Sequence, residues 1–272
     1  MKRFVTLHFL LFIFNGISIA QTGVTRYGNT ALANNTFVGI YNSAFGSRAL
    51  AVNSTGTKNT ALGANTLQEN ELGSNNTAVG YASMFHGYNG NYNTAVGFYS
   101  QFWSGGSYNV SVGTHALEYN SGSYNIAIGD YSQSGSALIG SRNISIGSNS
   151  LKKNQLGENN VACGYYTLVN STSSGSTALG SRALYNSVKS NNTGIGSSAD
   201  VTSSSIQNAT AIGANAKVDA SNKVRIGNTS VTSIGGQVGW TNFSDARIKS
   251  DVKENVPGLS FIKLLRPLTL PL

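Results

Sequence analysis

Charge is what this chain has least of. Only 10% of its 272 residues are Asp, Glu, Lys or Arg. A chain held open by charge carries far more, and the 40% apolar and 10% aromatic residues here give it something to bury. There is one cysteine, Cys163, so no disulfide can form within the chain. Stability must come from packing or from association between chains. Of the three histidines, only His86 and His115 lie beyond the N-terminal segment, and neither has a nearby Cys or His. That excludes a zinc set, and no metal or cofactor is expected. The net charge is +8, or +6 without Lys2 and Arg3, and it forms no dense basic patch before the C-terminus. This is a mildly cationic surface and not a nucleic-acid footprint. No stretch reaches eighteen apolar residues, so no transmembrane helix is expected.

Residues 1–20 read as a secretory signal peptide. Lys2 and Arg3 precede the apolar run Phe9 to Phe14, and Ser18-Ile19-Ala20 offers small residues for cleavage before Gln21. The mature chain is therefore expected to be secreted or displayed at the cell surface.

What the chain does have is Gly, Ser, Asn, Thr and Ala, arranged in a repeat. The motif appears as "NTALG", "NTAVG", "NVSVG", "NIAIG", "NISIG", "NVACG" and "NTGIG". Its closing glycines fall 16 to 18 residues apart from Gly46 to Gly213, with a degenerate copy near Gly28 and a short one at Gly227. The residue before Gly is apolar, as in Leu62, Val96 and Ile128. The residue two places earlier is mostly β-branched, as in Thr60, Thr94 and Ile126. Side chains two apart share a strand face, so each repeat predicts a short strand with these residues buried. The small residue between them then faces the other way. A small residue and a Leu or Met follow three and four places after Gly, which predicts a second strand. Turn formers fill the rest. Cys163 takes a strand position and reads as a small buried hydrophobe.

Two short strands and two turns in about seventeen residues describe a coil of a parallel β-solenoid. About twelve such coils are expected. So thin a coil leaves apolar surface in water unless another chain covers it, which favours a parallel bundle of identical rods. Tyr81, Phe98, Tyr99, Tyr131, Tyr165 and Tyr166 follow the motif glycines, and Tyr88, Tyr92, Tyr108, Tyr119 and Tyr124 lie in turns. Such rows suit packing between chains, or contact with a sugar or a protein ligand.

The pattern in Asn59–Leu67 and Ser176–Leu184 resembles the head repeats of trimeric autotransporter adhesins, the YadA-like family. The resemblance covers roughly residues 28 to 227. It implies a left-handed β-roll, an obligate parallel homotrimer and an adhesive extracellular fibre. The family's C-terminal membrane barrel has no counterpart in this sequence.

After residue 227 the composition changes. A connector spans 228–243, with strand-like alternation through Val231 and Ile234 as far as Trp240. The stretch from Ser244 reads as a short extended piece, a turn at Pro257-Gly258 and a short helix from Leu259 to Leu265. Ser244-Asp245, Arg247, Lys249 and "LLRP" at Leu264–Pro267 resemble the start of the S74 peptidase family, the self-cleaving intramolecular chaperone of endosialidases and phage tail spikes. The resemblance makes Ser244 the nucleophile, Lys249 its general base and Ser244–Asp245 the scissile bond. A lysine kept neutral by burial can take the serine proton. Only 28 residues follow Ser244, so 244–272 is read as a truncated start of that domain, in which cleavage is at most a single turnover. Two further readings stand beside the fibrous adhesin: a serine autoprotease with chaperone activity, and a carbohydrate-binding module like that of a tail fibre.

Overall fold

The computed structural model describes residues 23–34, 40–135 and 139–239. Residues 1–22 and 240–272 lie outside these, and with them the signal-peptide segment, Ser244, Asp245, Lys249 and the C-terminal turn and helix. The chain divides into two compact units, Met1–Ser230 and Val231–Leu272. The second is described only to residue 239. No strand forms among its described residues 231–239, although Val231 and Ile234 alternate as a strand would.

The first unit is a parallel β-solenoid. Thirteen short strands, from Thr25–Tyr27 to Val224–Ile226, form one sheet in sequence order, each paired with the next and all parallel. Thr60 lies beside Thr77 and Thr77 beside Thr94, so equivalent residues of successive coils stack. Stacked equivalents are what a repeat near seventeen residues produces when every coil turns once.

The side chains face opposite to the expectation from the repeat. The small middle residue points inward: Ala61, Ala78, Ala95, Ala127 and Ala162 are fully buried. The apolar residues on either side of it face outward. The reason is volume. Across the coil stand Leu50, Leu67, Met84, Leu117, Leu151, Leu168 and Leu184, all fully buried. A coil this thin holds one large column, and the facing column must be small. Gly194 marks the limit, where an added Cβ would meet Leu184 Cγ at 2.7 Å. Cys163 belongs to the outward row and is half-buried, not a core residue.

The second strand is also absent from most coils. The buried Leu and Met sit in tight turns with positive φ, such as Leu67 at 49° and Met84 at 50°. A left-handed conformation costs a non-glycine residue about 1–2 kcal/mol. Burial of the side chain and bonds between coils offset it. Leu67 N–H donates to the Ser83 carbonyl at 3.0 Å, and Met84 N–H to that of Ser100 at 2.9 Å. The turns thus stack by hydrogen bonds, as strands would. Among the described residues, a second pair of strands forms only at Asp200–Val201 and Lys217–Val218.

The motif glycine has two causes. At Gly97 φ is +139°, and an added Cβ would meet the Gly113 carbonyl oxygen of the next coil at 2.4 Å. The motif asparagine is a buried connector rather than an exposed turn former. Asn76 N–H donates to Asn59 Oδ1 at 2.9 Å, Asn76 Nδ2 to the Gly90 carbonyl at 2.7 Å, and Asn76 Oδ1 accepts from Asn93 N–H at 2.9 Å. Each amide ties its coil to its neighbours and leaves little polar capacity unused.

Candidate interaction surfaces

The outward strand face carries a long apolar surface. The first and third residues of each strand stand side by side on it. The third-residue row includes Leu62, Val96, Val112, Ile128, Ile146 and Leu179, between 37% and 52% exposed in the single chain. Val110, Ile144 and Val161 extend it sideways, and Thr takes that first-residue place in Thr60, Thr94 and Thr177. Val112 lies beside Ile128 and Ile128 beside Ile146, so the apolar row has no polar break there. Thirteen strands at about 4.8 Å spacing make a stripe on the order of 60 Å long. Monomeric proteins seldom expose an apolar surface of that extent.

Two aromatic groups lie off this face. Tyr92, Tyr108 and Tyr124 occupy the same turn position in successive coils. Their rings stack 4.9 Å apart, at 6° and 2° between planes. Each ring covers its neighbour's face, leaving about half of each side chain exposed at its edge. The other group follows the motif glycines. His115 stacks between Tyr99 and Tyr131 with centroids 5.4 and 4.7 Å away, and Lys152 Nζ lies 4.5 Å over Tyr131. One turn further round, His86 packs on Trp103 at 3.9 Å and on Phe85 at 4.5 Å.

Both histidines have carboxylate partners. His86 Nδ1 meets Glu69 Oε2 at 2.6 Å, a hydrogen bond. His115 Nδ1 lies 2.8 Å from Glu118 Oε2 without a hydrogen bond. The Glu69 pairing was readable from the repeat, since residues seventeen apart are neighbours. The buried asparagine row had its own signal, the recurrence of Asn before nearly every strand.

The residues Ser244 and Lys249 lie outside the described residues, as does the Ser244–Asp245 bond. Among the described residues no three His, Cys, Asp or Glu come together as a metal site. No helix among them is long and apolar enough to cross a membrane. No family model matches the chain, and no curated protein matches it. The stacked coils of residues 25–226 make an all-β parallel solenoid, an architecture consistent with a fibrous or structural protein.

Proposed function

We propose that the solenoid is one strand of a parallel homotrimeric fibre, exported to the cell surface, where it has an adhesive or structural role. The apolar stripe carries this reading. A partner for it must offer apolar side chains at the same spacing along the whole sheet, and another copy of this chain does so. Parallel copies around one axis bring equal coils to equal heights, and a closed ring of such contacts leaves no stripe exposed. The resemblance of the repeat to YadA-like heads sets the number at three and suggests an extracellular glycan or protein ligand. Residues 1–20 supply the export signal.

The test is a charge placed in the stripe. Ile128→Glu and Ile146→Glu each put a carboxylate at the centre of the contact. Light scattering is expected to show dissociation or loss of soluble protein, while the same carboxylate placed at exposed Ser203, by Ser203→Glu, leaves the trimer intact. A trimer that tolerates both stripe substitutions contradicts the reading.

The C-terminal segment adds a second proposal, carried by the sequence Ser244-Asp245-Ala246-Arg247-Ile248-Lys249. It derives from a self-cleaving trimerisation chaperone, with Ser244 as nucleophile and Lys249 as base. Cleavage would release residues 245–272. Mass spectrometry of the purified chain checks it: a fragment that disappears in Ser244→Ala supports the protease reading, and intact chain in both proteins contradicts it.

A further inference from the structure

The column of buried Leu and Met ends at Leu184. The equivalent positions of the next two coils hold Asp200 and Lys217, side by side in register. Here the left-handed turn gives way to extended backbone. A strand alternates its side chains, so Val201 and Val218 fill the apolar core while Asp200 and Lys217 point away from it, Asp200 still buried and Lys217 partly exposed. The change of backbone leaves a groove of about 510 Å³ beside the last left-handed turns. That volume is within the roughly 300–1,000 Å³ of small-ligand sites.

The floor of the groove is rigid. Asp200 is buried, and its carboxylate accepts from Val201 N–H at 2.9 Å, from Asn186 Nδ2 at 2.9 Å and from Asn186 N–H at 3.2 Å. Lys217 Nζ lies 3.5 Å from it. These donors occupy the carboxylate, so it acts to position Asn186 and Lys217 and does not face a ligand. The walls are different. Arg182 contributes a guanidinium with no side-chain partner among the described residues, Asn186 Oδ1 has no donor, and Lys217 is partly exposed. Tyr165 and Tyr185 stand half-exposed, with Tyr165 braced edge-on by Tyr166 at 4.5 Å.

We propose that this groove binds an anionic sugar unit. A free guanidinium is a planar fork for a carboxylate or a sulfate, and Lys217 adds a second positive charge. With Asp200 ionised, the groove keeps one net positive charge. Tyr165 and Tyr185 offer ring faces to the C–H face of a pyranose and hydroxyls to its rim. Asn186 Oδ1 accepts from a sugar hydroxyl. No exposed aliphatic surface lines the groove to take a lipid chain or an apolar peptide side chain. The proposal deepens the ligand-binding part of the adhesin reading and is independent of chain number.

The test uses the full chain, with its molar mass measured on the same sample. Calorimetric titrations compare glucuronate-containing, sialylated and sulfated oligosaccharides with neutral lactose and with an acidic peptide. Binding is expected for an anionic sugar and not for lactose, weakened about tenfold or more by Arg182→Ala. Arg182→Lys recovers part of it, and Tyr165→Ala weakens it with the circular dichroism spectrum unchanged. The carboxylated and sulfated arms tell which anion is preferred. No binding of any anionic sugar overturns the proposal, as does affinity that is indifferent to Arg182. Equal affinity for the acidic peptide overturns the sugar assignment. A sample that is trimeric yet binds nothing separates this failure from failure of the fibre reading.

Discussion

Asn76 illustrates how single residues hold the coils together. Its side chain donates to the Gly90 carbonyl and accepts from the Asn93 backbone N–H, both in the next coil. Asn76→Ala leaves both groups buried without a partner, which is expected to cost about 3 kcal/mol. Hydrogen exchange should accelerate first at the amides of 90–94, and an unchanged rate there contradicts the role. Asp200 gives a different signature. Burial pushes its carboxyl above the ordinary value, while donors from Val201, Lys217 and Asn186 pull the other way. An acid with a raised folded pKa holds its proton more tightly when folded. Its contribution to stability therefore falls as pH rises from the ordinary carboxylate range to the raised value, and is constant above that. A plot of melting temperature against pH is expected to show this slope, flattened in Asp200→Asn. Equal slopes in both proteins contradict it. The sequence marks both positions, Asn76 by its recurrence and Asp200 by a break in the Leu column, but neither sign alone tells burial from exposure.

At the scale of elements, the repeat made the strands legible and misled about their faces. Alternation identifies two faces but carries no label for which is inside. The label comes from the opposite wall, where Leu67 and Met84 fill the space and leave room only for Ala61 and Ala78. The left-handed turns were hidden for another reason. Leu is a poor left-handed residue in isolation, and only the stacking of turns across coils makes it tolerable there. Gln133 occupies this column and is fully buried, and neither side-chain polar atom has a hydrogen bond. Its φ of 46° is close to that of the Leu residues. Gln133→Leu is therefore expected to stabilise the solenoid by about 1–3 kcal/mol. A rise in the denaturant midpoint checks it, and a fall contradicts it. Gln101 is unlike it, since Gln101 Nε2 donates to Asn93 Oδ1 and Ser104 Oγ, both at 3.2 Å. Gln101→Leu is expected to gain less, because it removes those bonds.

At the scale of the whole molecule, one observation organises the rest. Each strand buries its small middle residue against the turn's Leu or Met and faces its flanking apolar residues outward. The sequence led to the expectation of a partner, because so thin a coil leaves apolar groups in water. It did not mark the outward strand face as the apolar surface, since it placed the apolar rows inside. The proposed cleavage site and export signal belong to residues beyond those described, so their support is the motif chemistry itself. The central claim is that the outward stripe is covered by two further copies of the same chain. Multi-angle light scattering of the purified solenoid across a hundredfold range of concentration tests it most directly. A mass of three chains is expected throughout, lost on Ile128→Glu. A folded monomer that stays soluble with the stripe exposed would contradict it.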